Sequence, residues 1–151
     1  MGIACCGFGH RDLYRDIKNE MQLIVEYLVE KKGVTIFYTG GMGDFDDLFI
    51  KVVKQCKIKK EKEIHLILVM PYLTKEMQHN KEYYKEWFDE IIIPEICSTT
   101  YYKQAIPLRN RWMIEQSEFV VSGVYRDFGG AYSALQYAER KGKEIIDVYN
   151  N

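Results

Sequence analysis

Apolar and polar positions along this chain come in alternating blocks whose period switches between strand-like and helix-like. Gly2 to Cys6 is a short apolar run that stops at Gly7-Phe8-Gly9-His10-Arg11. Leu13, Ile17, Met21, Ile24 and Leu28 then recur at steps of three and four, the spacing of one helix face, until Lys31-Lys32-Gly33 supplies a basic last turn and a glycine stop. The same unit repeats. Val34 to Tyr38 is rich in β-formers and runs into Thr39-Gly40-Gly41-Met42-Gly43-Asp44, after which Phe45, Leu48, Phe49, Val52, Val53 and Cys56 form a second helical stripe ending in the charged run Lys57 to Lys62.

Ile64 to Met70, apolar except for His65 and ended by Pro71, predicts a third buried strand. Lys75 to Asp89 carries Tyr83, Tyr84, Trp87 and Phe88 at helical spacing, a stripe that suits the core or a subunit interface. Ile91 to Ile93 predicts a short fourth strand, and Pro94 to Ile106 a loop with one turn of helix. From Leu108 a helix bearing Arg109, Asn110 and Arg111 leads to a strand, Phe119 to Val124, then to Gly129-Gly130 and a helix with Ala131, Ala134 and Ala138. Glu144 to Tyr149 is the last strand. Alternating strands and helices with short turns predict a single α/β domain, a sandwich around a mostly parallel sheet.

Ligands of such folds bind at the carboxyl ends of the strands, beside helix N-termini. Three glycine stretches are expected on that rim: Gly7 with Gly9, Gly40 to Gly43, and Gly129 with Gly130. Glycine lets a ligand approach unpaired amides, and the helix dipole behind them favours an anion. Arg11, Arg109, Arg111 and Arg126 are expected to line one pocket and add charge-assisted bonds. A phosphate fits these groups.

Composition narrows the partners. With 21 basic against 22 acidic residues and a pI near 6.3, the chain lacks the global positive charge of a dedicated nucleic-acid domain, so nucleic acid is not the expected partner. Cys5, Cys6, Cys56 and Cys97 form no CxxC pair and have no histidine at ligand spacing; reduced thiols in a cytoplasmic protein, with no metal or other cofactor, are expected. Met1-Gly2 begins like an acylation signal, but Cys6 stands where Ser or Thr is required, so the run is read as the first strand. No apolar run reaches membrane-spanning length, and no signal peptide is visible.

Gly40-Gly41-Met42-Gly43-Asp44, Arg109-Asn110-Arg111, Ser117 to Val121, Gly129-Gly130 and Ala138 to Ile146 follow an order that resembles the SLOG superfamily, which takes in DprA and the Lonely Guy (LOG) enzymes. Gly7 to Arg11 and the RNRWMIEQSE segment look closest to its small stand-alone YpsA-like members. The resemblance implies a Rossmann-like three-layer sandwich over residues 1–151 that holds a nucleotide or nucleotide derivative. It leaves open sensing, phosphoribohydrolase chemistry and single-stranded DNA binding.

LOG-type enzymes carry a GGxGTxxE pattern whose glutamate lies at the glycosidic bond. Here Tyr132 replaces the third glycine and Gln136 the glutamate, and a glutamine cannot ionise to act as a base. The expectation is therefore a sensor or sequestering module, with nucleotide N-glycosidase activity as the alternative and His10 and Asp46 as candidate catalytic groups. The expected ligand contacts are Gly7, Phe8, Gly9, His10, Arg11, Thr39, Gly40, Gly41, Met42, Gly43, Asp44, Asp46, Arg109, Asn110, Tyr125, Gly129, Gly130, Ala131 and Tyr132. Asp44 is expected chiefly to cap its helix, Asp46 or Asp44 to meet ribose, and Phe8, Tyr125, Phe128 and Tyr132 to stack on a base. The chain is expected to form a homo-oligomer.

Overall fold

The β-formers of the sequence pair into one sheet of six strands in a computed structural model that describes residues 2–150. The strands are β1 (Ile3–Gly9), β2 (Val34–Thr39), β3 (His65–Val69), β4 (Glu90–Ile92), β5 (Phe119–Gly123) and β6 (Glu144–Asp147), in the order β4-β3-β2-β1-β5-β6, and every pairing is parallel. The helices are α1 (Lys18–Lys32), α2 (Asp44–Lys60), α3 (Lys75–His79), α4 (Lys81–Trp87), α5 (Glu95–Ser98), α6 (Tyr102–Glu115) and α7 (Gly130–Arg140). The chain builds outward from β1 to β4 on one side, then returns to place β5 and β6 on the other. Strand order therefore reverses between β1 and β5, and in doubly wound sheets that is where a crevice opens.

Side-chain alternation along β1 divides the interior into two cores. Cys5 belongs with α1 and α2, through Met21, Val25, Leu28, Phe45, Phe49 and Val53. Ala4, Cys6 and Phe8 pack against Met113 and Ile114 of α6 and Ala134 and Ala138 of α7. Helices on both faces of a fully parallel sheet make the expected three-layer α/β sandwich. The alanines of α7 explain its close seat: Ala134 and Ala138 are buried, and neither has bulk to hold the helix off the strands.

Three boundaries depart most from the expected ones. β1 continues through Gly7-Phe8-Gly9, which pair with Val121, Ser122 and Gly123 of β5, so this glycine stretch is strand and not turn. A Cβ on Gly9 would come within 2.2 Å of Phe45 Cγ, and one on Gly123 within 2.4 Å of the same ring. The glycines are there to seat an aromatic ring of α2 flat on the sheet. Helix α1 starts only at Lys18, leaving residues 10–17 as a loop although Leu13 and Ile17 fit the helical period. Helix α6 starts at Tyr102, inside the stretch expected to be loop.

The aromatic stripe of residues 83–88 splits. Phe88 is buried in the core, Trp87 lies under Lys54 Nζ at 4.8 Å from the ring centroid, and Tyr83 stays exposed. Among the described residues no helix is long and apolar enough to cross a membrane.

Candidate functional site

A cleft of about 140 Å³ opens at the carboxyl ends of the central strands, lined by Gly7, Phe8 and Gly9 of β1, Gly40, Met42 and Asp46 after β2, Ile106, Arg109, Asn110 and Met113 of α6, and Gly130 and Ala131 of α7. It sits at the strand-order reversal. Its enclosed part is smaller than the roughly 300 to 1,000 Å³ of whole-ligand pockets. What it can surround is one end of a ligand.

The two helices that point their N-termini at this rim begin alike. The cap residues Gly43 (φ 96, ψ 178) of α2 and Gly129 (φ 96, ψ 177) of α7 share a backbone conformation that only glycine adopts at low cost, and neither helix has a side-chain cap. Their electrostatics are opposite. The first turn of α2 carries Asp44, Asp46 and Asp47; the Asp44 amide donates to the Arg11 carbonyl at 2.7 Å, and the Met42 amide to Asp46 Oδ2 at 2.9 Å. Acidic groups already offset that end of the dipole. The first turn of α7 has no acidic residue, both its glycines are exposed, and a Cβ built on either would meet nothing within 4 Å. Of the two, α7 is the N-terminus that can receive an anion.

The capping expectation for Asp44 is corrected here: Gly43 is the N-cap, Asp44 is the first helical residue, and its side chain makes no cap bond. Asp46, also in the first turn, reaches back to the preceding loop instead. That carboxyl is buried, 8% exposed, and burial pushes its pKa up to about 7, against the pull of the Met42 amide and of Arg109.

Arg109 is 3% exposed, a buried cation and not a surface charge. Its guanidinium ties three segments together. Nη1 donates to Val69 O at 2.7 Å and Gly40 O at 3.4 Å, Nε donates to Asn110 Oδ1 at 2.9 Å, and Nη2 lies 3.4 Å from Met42 Sδ. A Cβ at Gly40 would stand 3.0 Å from the guanidinium carbon, so the glycine lets the arginine lie flat against the loop. Burial lowers the Arg109 pKa from its ordinary value and Asp46 opposes that shift. Thr39, fully buried, accepts the Gly41 amide at 3.2 Å and fixes the start of the same loop.

The remaining sequence candidates lie apart from the cleft lining. His10 Nε2 accepts the Arg126 amide at 3.1 Å, and burial together with the Arg126 charge lowers its pKa, so the ring is a neutral acceptor that clamps the loop after β5. Tyr125 stacks edge-on against His10 and donates its hydroxyl to Asp12 O at 2.8 Å, while the Arg126 guanidinium lies 4.8 Å over the Tyr125 ring. Arg11 is exposed and contributes its carbonyl to α2, and Arg111 is exposed with its guanidinium over Tyr137 at 5.0 Å. The four arginines thus do not share one pocket; Arg109 alone lines the cleft. Phe128 is exposed beside Gly129, and Tyr132 is half-buried with its hydroxyl accepting from Gln136 Nε2 at 3.2 Å.

Sequence reading missed Ile106 and Met113, which line the cleft from α6. Their helical spacing with Arg109, at i−3 and i+4, was the available signal. Among the described residues no cluster of three or more His, Cys, Asp or Glu side chains has metal-binding geometry.

No family model and no curated protein matches the chain in sequence. Solved structures do match in fold. The DNA processing protein A (DprA) of Streptococcus pneumoniae superposes with a TM-score of 0.66 at 12% identity, over 97% of this chain and 50% of that one. DNA processing protein A from Helicobacter pylori, whose single-stranded DNA binding mode is known, gives 0.66 at 14% identity, over 97% and 65%. The molybdenum cofactor carrier protein of Chlamydomonas reinhardtii gives 0.60 at 13% identity, over 97% and 76%. The chain spans half of the S. pneumoniae protein and just under two thirds of the H. pylori one. The expected Rossmann-like α/β arrangement is borne out as a fold.

Proposed function

We propose that this protein binds a nucleotide or nucleotide-derived ligand at the strand-order reversal and acts as a sensor or sequestering module. The observation that carries the reading is the uncapped, acid-free N-terminus of α7 opening on the same cleft as the buried Arg109. The amides of Gly130, Ala131 and Tyr132 would hold a phosphate, and the positive guanidinium across the cleft adds attraction without being a flexible surface charge. Micromolar affinity requires about 8 kcal/mol, more than one phosphate subsite supplies, so the rest of the ligand extends over the rim. Phe128, 65% exposed beside Gly129, would stack on a base there.

The test is a thermal-shift panel of nucleoside monophosphates, NAD, ADP-ribose and cyclic dinucleotides. At least one is expected to raise the melting temperature, and a flat panel contradicts the reading. Hydrolysis of an N-glycosidic bond is the second reading, favoured by a buried carboxyl in the cleft that titrates near neutrality, as a general acid must. Release of free base on chromatography, lost in Asp46→Asn, would put it first. Oligonucleotide binding with a steep salt dependence would instead favour the DNA reading.

The four free, buried cysteines fit a reducing compartment such as the cytoplasm. Self-association through the apolar surface beside β4, where Leu73, Met77, Ile91 and Ile93 line a second cavity, is also proposed; sedimentation velocity would report it as a species heavier than the 17.9 kDa chain.

A further inference from the structure

Asp46 is placed where its protonation matters to a ligand. Its carboxyl is enclosed by the fold except on the cleft side, and only Oδ2 has a hydrogen bond within the described residues, from the Met42 amide. Oδ1 is left to the cleft. The groups around it come from four directions: Arg109 from α6, Cys6 from β1, Asp47 from its own helix, and the uncharged Gly130 and Ala131 from α7. No ion pair between Asp46 and Arg109 closes within 4.0 Å among the described residues, because the guanidinium is turned to the Val69 and Gly40 carbonyls. The carboxyl therefore faces the cleft with one unengaged oxygen and an incompletely neutralising neighbour.

An anion held at the N-terminus of α7 would share this small cleft with Asp46. Two negative charges in one small cleft, one of them on a buried carboxyl, disfavour each other, and the cheapest relief is a proton on that carboxyl. A protonated Oδ1 then becomes a donor that can bond a ligand oxygen, the use made of neutral carboxylic acids in apolar sites. The alternative, an ionised Asp46 chelating ribose hydroxyls, places like charges side by side.

We propose that Asp46 meets the ligand as a neutral hydrogen-bond donor, so that an anionic ligand binds this cleft together with one proton taken from solvent. The proposal rests on the anion-binding reading of the cleft and adds a direction to its pH dependence. The raised pKa of the free carboxyl, about 7, means that the uptake falls in an accessible range.

Calorimetric titration with adenosine monophosphate, in two buffers of different ionisation enthalpy, reads the proton count, and the same titration of Asp46→Asn subtracts what the ligand's own phosphate, with a second pKa of about 6, exchanges. Uptake of up to one proton is expected, with affinity falling about tenfold per pH unit above the carboxyl's titration. Asp46→Asn keeps an acceptor for the Met42 amide and a donor toward the cleft; it is expected to retain only the pH dependence of the ligand's own phosphate. Proton release, pH-independent wild-type binding, or a folded Asp46→Asn that fails to bind at low pH would overturn the proposal. A second arm needs no nucleotide: the Asp46 carboxyl carbon is followed by NMR against pH, with and without inorganic phosphate. Its midpoint is expected to move upward with phosphate, and a fixed midpoint overturns the proposal even if nucleotides bind. If no nucleotide binds while phosphate still raises the midpoint, the nucleotide reading falls and the proton coupling stands.

Discussion

At the scale of single residues, the glycines divide into those that admit a neighbour and those that bend the chain. Gly9 belongs to the first kind: with Phe45 Cγ 2.2 Å from where its Cβ would sit, Gly9→Ala must displace a fully buried ring. Overpacking of that sort costs about 1 to 3 kcal/mol, and chemical denaturation should show a loss in that range. Gly43 belongs to the second. Its φ of 96° and an Arg11 Cα only 2.8 Å from a would-be Cβ leave Gly43→Ala no relaxed backbone. The sequence marks all these positions as glycine but does not say which kind each is. Gly7 and Gly9 two apart at the end of an apolar run were the clue, since that spacing puts both on one strand face.

Two titrating residues pull the stability profile in opposite directions. Burial raises the Asp46 pKa from 3.8 to about 7, so the folded state holds a proton the unfolded state has already lost. The stability that Asp46 contributes is therefore full below the unfolded value, falls as pH rises through that window, and is gone above it. His10 has a lowered pKa, so its neutral ring favours folding above the ordinary value of 6.5, and that contribution is lost as pH falls below it. Melting curves of Asp46→Asn should lack the first slope and lie above the wild type on the alkaline side. A variant that keeps the slope would show that another group produces it.

At the scale of elements, α2 and α7 begin with the same glycine geometry and differ in first-turn charge. Three aspartates offset the dipole at one end, while the first turn at the other carries no acidic residue. Pattern alone predicts both helices and both glycine turns; the charge contrast was also legible, in Asp44, Asp46 and Asp47 against Ala131, Tyr132 and Ser133, but gained meaning only once both ends were seen on one rim. A carboxylate at the N-terminus of α7 should mimic that contrast. Ala131→Asp is expected to leave stability unchanged or raise it by about 0.3 to 1 kcal/mol, through the helix dipole, while abolishing anion binding. Loss of both together would mean that Ala131 matters for packing alone.

At the scale of the whole molecule, the alternation of strand and helix periods was enough to predict a parallel α/β sandwich, because each unit must bury its apolar face against the next. Strand order was not readable. The side of β1 on which β5 pairs is decided by packing of α6 and α7 against Ala4, Cys6 and Phe8, contacts far apart in sequence. That choice brings Arg109 and Gly130 to one cleft while sending Arg126 and Tyr125 to the cluster around His10 and Arg111 to Tyr137. A sequence reader sees four arginines near glycines; the fold admits one.

On the proposed function, the N-terminus of α7, and not that of α2, receives the ligand's negative charge. Backbone amide shift mapping by ¹H–¹⁵N NMR during titration with adenosine monophosphate reads both helix ends at once. The account predicts saturable shifts at Gly130, Ala131 and Tyr132, with the amides of Asp44 and Asp47 nearly still. Saturable shifts centred on Asp44 to Asp47, with Gly130 to Tyr132 unmoved, would contradict it.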